Sequence, residues 1–67
     1  MMTTTLTAAE VLIDGRVRIA TSDDRFPAGL WLRAERGRGA EAGLVVLTDR
    51  IGTRVALEPW QTVLALR

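Results

Sequence analysis

The sequence predicts a mainly β fold, a small five-stranded antiparallel barrel with a short helix ahead of it. Three observations carry this expectation. From Arg16 onward, apolar residues recur with a period of two, the mark of half-buried strands. Clusters of turn formers interrupt those runs roughly every ten to fifteen residues. No segment is long enough for a crossover helix, which excludes a parallel α/β sheet. A strongly bent antiparallel sheet that closes on itself also hides the edges so apolar a chain would otherwise expose.

At 67 residues the chain has room for one domain, 1–67. A domain of this size buries only about 60% of its unfolded surface, so it usually needs support. Cysteine and histidine are both absent, which removes disulfides and the common zinc sites. A partner surface is the support that remains, and the 48% hydrophobic content fits one.

Residues 1–6 read as an extended tail. Thr3-Thr4-Thr5 is polar and β-branched, a loose terminus by composition unless it packs along a neighbour. Leu6-Thr7-Ala8-Ala9-Glu10-Val11 is a helix start: Thr7 is placed to cap, Glu10 to reach back, and Leu6 and Val11 to staple. Gly15 supplies the stop, giving a helix over about 8–14. A competing reading puts Asp14-Gly15 at the tip of a hairpin joining residues 10–13 to 16–19; the helix is preferred.

Strands follow at Arg16–Ala20, Leu30–Glu35, Gly43–Thr48, Thr53–Glu58 and Val63–Leu66. Gly43–Thr48 is almost wholly apolar and reads as the most buried of them. In Leu30–Glu35 the alternation points Leu30, Leu32 and Ala34 inward and Trp31, Arg33 and Glu35 outward. Thr21–Gly29 is a loop by content, and Arg36–Gly43 a glycine-punctuated, mobile hairpin tip. Pro59 ends the fourth strand because it cannot donate to a ladder, and Trp60-Gln61-Thr62 makes one tight turn. Trp60 is expected to plug the barrel.

Val55-Ala56-Leu57-Glu58-Pro59-Trp60-Gln61-Thr62-Val63-Leu64-Ala65-Leu66 resembles the ending of small SH3-like barrels. In those domains a strand runs into a proline, a single tight turn follows, and a β-branched residue opens the closing strand. Pro59-Trp60 with Val63 and Leu66 looks most like the PRC-barrel version, and a helix before five strands like the Sm-type one. The resemblance implies an SH3-like barrel and no more. Proline-binding SH3 grooves need tyrosines, which this chain lacks, and the Asp and Asn loop residues of Sm RNA sites have no counterpart.

Catalytic groups are missing. Ser22 and the threonines have no His or Lys to activate them, and there is no Cys. Asp23-Asp24 is the sole acidic pair, and it reads as a turn. Gly37, Gly39 and Gly43 match neither phosphate-loop spacing. The chain is therefore expected not to be an enzyme and to hold no cofactor and no metal.

All nine basic residues are arginine, and with the abundant Ala, Gly, Val and Leu this is the signature of a G+C-rich genome such as that of an actinobacterium or one of its phages. Net charge is only +1, too little to steer the molecule to nucleic acid or anionic lipid. Met1–Thr5 carries no basic region and no apolar run approaches the ~20 residues of a membrane span. No membrane partner is expected. The expected location is the cytoplasm, or the virion if a phage encodes the chain.

Candidate interface residues are Trp31, an outward aromatic of the kind that dominates binding energy, Leu12, on a helix with little room to bury it, and Arg33. Arg16 and Arg18 on the first strand, with Arg36 and Arg38 at the tip, are the candidate nucleic-acid contacts, although Glu35 and Glu41 offset their charge. The expected function is a structural or adaptor module, acting as a homo-oligomer or as a small subunit of a larger assembly such as a phage particle. A nucleic-acid-binding regulator and a small inhibitor or accessory subunit of an enzyme are the alternatives.

Overall fold

The computed structural model describes residues 2–67; Met1, the first residue of the expected tail, lies outside the described residues. The elements are β1 (Thr3–Thr7), α1 (Ala8–Asp14), β2 (Arg16–Arg18), β3 (Trp31–Arg36), a 3-10 turn (Gly39–Glu41), β4 (Val45–Thr48), β5 (Arg54–Leu57) and β6 (Thr62–Leu66). They form a small mainly β domain with two antiparallel sheets, β1-β6 and β2-β3-β4-β5.

The helix forms where its signals lie. Thr7 Oγ1 accepts from the Glu10 N–H at 3.2 Å, and Glu10 Oε1 accepts from the Thr7 N–H at 3.0 Å. Leu6 and Val11, the staple residues, are both buried. Gly15 ends α1 in the left-handed region (φ 87°) and donates its N–H to the Val11 carbonyl, a conformation other residues reach only with strain. Two turns of helix need tertiary support. Part of it comes from the chain after β5: Gln61 and Pro59 offer their carbonyls to the Ala8 and Ala9 N–H groups at 2.8 and 3.0 Å. The hairpin reading of Asp14-Gly15 is thereby overturned.

The core lies between the sheets. Val17, Leu32, Ala34, Val45, Leu47 and Leu57 face inward from the larger sheet, and Leu6, Val63 and Ala65 face them from the smaller one. Ala8 and Val11 close one side. Leu47 is fully buried, in keeping with the apolar run that carries it. Phe26, although it sits in a loop, is 1% exposed and belongs to this core. Asp23 draws it in, accepting from the Arg25 and Phe26 N–H groups at 2.7 and 3.0 Å.

Several expectations are corrected. The tail is extended but not loose: residues 3–7 form β1, in register with β6 from Thr3↔Leu66 to Thr7↔Thr62. The strands number six, and neither sheet closes into a barrel. The reason is local. β1 occupies one edge of β6, and the chain just after β2 meets the other edge at the Ile19↔Ala65 bridge and the Ala20–Leu64 hydrogen bond before it leaves for the Thr21–Gly29 loop. Trp60 does not plug the core but is 71% exposed. Its turn presents backbone carbonyls to α1 and leaves the side chain outside, and Phe26 fills the interior instead. Leu12 is half-buried and packs against the core. The glycine-rich tip is a defined 3-10 turn, with Gly37 donating to the Leu44 carbonyl and Arg54 forking onto the Glu41 carboxylate (Nη1 to Oε2, 2.6 Å).

Candidate functional site

Strand pairing assembles one face from residues distant in sequence. Because Val17 and Leu32 face the core, Arg16, Arg18, Trp31 and Arg33 share the outer surface of the β2-β3 pair. Arg18 stands directly opposite Trp31, and Arg16 directly opposite Arg33. Both β2 guanidiniums lie over the indole, Arg16 at 4.9 Å and Arg18 at 5.9 Å from its centroid, within cation–π range. Trp31 nevertheless remains 51% exposed.

Beyond β3 the row of outward side chains continues through Thr48 to Arg54. The Asp49–Gly52 turn then rises beside it, and between turn and sheet lies an open groove of about 1130 Å³. Its apolar surface comes from Leu30, Trp31 and Ile51, the last 88% exposed. Arg16, Arg33 and Arg50 rim it. A smaller cleft of about 240 Å³ on the other side of Trp31 is bordered by Arg18 and Arg67.

Three carboxylates stand near these arginines, each with one oxygen engaged, while Asp49 Oδ2 is shielded without a partner. Asp14 pairs with Arg67. Glu35 reaches Arg33 at 3.9 Å. Asp49 Oδ1 accepts from the Ile51 and Thr53 N–H groups at 2.9 and 2.8 Å, which shapes the turn. Burial raises the Asp49 carboxyl pKa, but the hydrogen bonds from Thr53, Ile51 and Gly52 outweigh it and leave it below the ordinary value. The Arg18 Nε is shielded from solvent without a hydrogen-bond partner, so the side chain carries an unsatisfied donor.

The candidate residues thus divide. Trp31, Arg33, Arg16 and Arg18 come together. Arg36 and Arg38 stay at the opposite end of β3, outside the groove, and Leu12 lies on α1 against the core. Arg50 and Ile51 were not anticipated; an isoleucine between an arginine and a glycine in a turn was the available signal. Elsewhere the polar loop residues hold backbone. Ser22 Oγ accepts from the Ala28 N–H at 2.8 Å, and Asp23 accepts from Arg25, which with neighbouring N–H groups lowers its pKa against the effect of burial. Among the described residues no three His, Cys, Asp or Glu side chains converge as metal ligands, and no helix is long and apolar enough to cross a membrane. No family model, no curated protein and no solved structure matches the chain.

Proposed function

We propose that this chain is a non-enzymatic structural or adaptor module that docks a protein, its own copy or another chain, on the face around Trp31. The observation that carries the reading is the half-exposed indole of Trp31 under two guanidiniums at the edge of an apolar groove. Tryptophan and arginine are the residue types most enriched where binding energy concentrates. An indole held by two arginines on a sheet is also ordered before binding, which lowers the entropic cost of association. Docking as an inhibitor or accessory subunit of an enzyme is the same reading with a particular partner. A resemblance to SH3-like barrels goes with it, supported by the strand, proline, tight turn and closing strand over residues 55–66 and by a helix preceding β2–β6. Such a module would serve in the cytoplasm or within a virion.

The same arginines give a second reading, contact with nucleic acid, favoured by the direct opposition of Arg16 and Arg33. Light scattering over a dilution series at low and high salt separates the forms of the proposal. Self-docking gives an oligomer that resists salt and dissociates in Trp31→Ala. A foreign partner leaves a monomer, and pull-down by wild-type but not Trp31→Ala protein then identifies it. Retention of every partner and of native mass by Trp31→Ala would falsify the role of this face.

A further inference from the structure

Resting on that docking reading, we infer that the occupant of the Trp31 groove is an acidic segment of a partner protein, with aspartate or glutamate flanking an apolar side chain. The charge pattern points this way. Arg16 and Arg33 are directly opposed across the β2-β3 pair. Like charges so placed, with Cβ atoms about 5 Å apart, destabilise a sheet unless an anion lies between them. Glu35 touches only Arg33, and at 3.9 Å only loosely. Asp14 and Asp49 are held by Arg67 and by the turn amides. Arg50 adds a further cation at the rim. An incoming carboxylate bridging Arg16 and Arg33 relieves their repulsion, and an arginine fork suits it geometrically.

The apolar component is equally specific. Leu30, Trp31 and Ile51 line the groove beside those cations, so the ligand carries an aliphatic or aromatic group near its charges. A nucleic-acid strand fits less well. Two guanidiniums already share the indole with any base that would stack on it. The net charge of +1 adds no long-range attraction for a polyanion.

The test uses the full chain carrying Trp60→Phe, so that the remaining indole reports on the groove. It is titrated with three probes: a nonapeptide alternating glutamate and leucine, its glutamine–leucine counterpart, and a ten-nucleotide thymidine strand. The expected result is binding of the glutamate peptide with perturbed Trp31 fluorescence, about tenfold weaker for the glutamine peptide, for Arg33→Gln protein and for Arg16→Gln protein. Equal binding of both peptides overturns the acidic preference and leaves the docking reading standing. Tighter binding of the thymidine strand, or a salt-resistant dimer abolished by Trp31→Ala, names another occupant and overturns it too. Binding of the glutamate peptide undiminished in Arg33→Gln and Arg16→Gln moves the anion elsewhere. A monomer that binds neither peptide overturns the inference; retention of every partner by Trp31→Ala is what defeats the docking reading itself.

Discussion

Ile19 and Ala65 form the bridge that joins the two sheets. One residue further on, the Ala20 N–H donates to the Leu64 carbonyl at 2.9 Å, and both Ile19 and Ala65 lie in the core. The β1-β6 pair therefore leans on the larger sheet through side-chain packing and very little ladder. A two-stranded sheet is marginal alone, so this junction sets how cooperatively the domain unfolds.

The junction is open to test by removing one donor. Ala20→Pro deletes the bond to Leu64 and is expected to cost about 1–3 kcal/mol. Faster hydrogen exchange should appear first at the amides of β1 and β6. Uniform acceleration through β3 and β4 as well would show that the sheets do not separate.

Phe26 is the second sensitive point. It is buried in a loop and fills the interior that Trp60 leaves. Phe26→Ala is expected to cost about 3–5 kcal/mol, close to the whole stability of a small domain, and so to unfold it. Phe26→Leu should cost less than half as much and give a clean denaturation midpoint. A fully folded Phe26→Ala protein would remove Phe26 from the core.

Phe26 marks the limit of what the sequence makes legible. Leu30–Glu35 announces its strand by alternation and Gly43–Thr48 by a short apolar run, and helix α1 carries its capping box within four residues. Trp31 is legible as outward for the same reason: its parity is fixed by Leu32. The rest depends on contacts between distant segments. Thr3–Thr7 becomes a strand only because β6 presents an open edge, and polar composition alone reads as a tail. Phe26 takes the interior place expected of Trp60: its N–H donates to Asp23 Oδ1, while α1 amides donate to the Gln61 and Pro59 carbonyls on either side of Trp60. Arg50 and Ile51 reach the groove through a turn whose direction no local pattern states.

Gly37 offers a sharper prediction. Its φ is ordinary, but a Cβ there would run into the Glu41 carbonyl oxygen and stand 2.8 Å from its carbon. Neither atom can step aside without undoing the 3-10 turn. Gly37→Ala is therefore expected to cost about 1–3 kcal/mol and to detach Glu41 from Arg54. Gly15→Ala meets no neighbour and should cost only about 1 kcal/mol, from its left-handed backbone. Equal midpoints for the two variants in urea would contradict this reading.

Arg18 predicts a gain where an arginine is lost. Its Nε is buried without a partner, while its chain lies along Trp31. Arg18→Met keeps the apolar stem and removes the orphan donor, so stability should stay level or rise by up to about 1 kcal/mol. A loss exceeding that range, read by thermal unfolding, would mean that the guanidinium is worth more to the fold than its missing bond implies.

Acid should destabilise the domain, and the sign follows from four carboxylates. Glu10 is lowered by the Thr7 backbone N–H and hydroxyl, Asp23 by Arg25, Glu41 by Arg54, and Asp49 by its turn amides against the effect of burial. Each therefore binds its proton more weakly in the folded chain than in the unfolded one. The stability they contribute is fully present above the ordinary carboxylate range, about pH 4, and is lost as pH falls through the depressed folded values. With no histidine, cysteine, lysine or tyrosine, no side chain titrates between about pH 5 and 11, so thermal midpoints should be level from pH 6 to 8. Thr7→Ala isolates one contributor: it should cost about 1 kcal/mol at pH 7 and less in acid, once pH has fallen through the lowered Glu10 value and the carboxylate half of the box is lost. The same Thr7→Ala penalty at pH 7 and in acid would show that the Glu10 carboxylate takes no part in holding the start of α1.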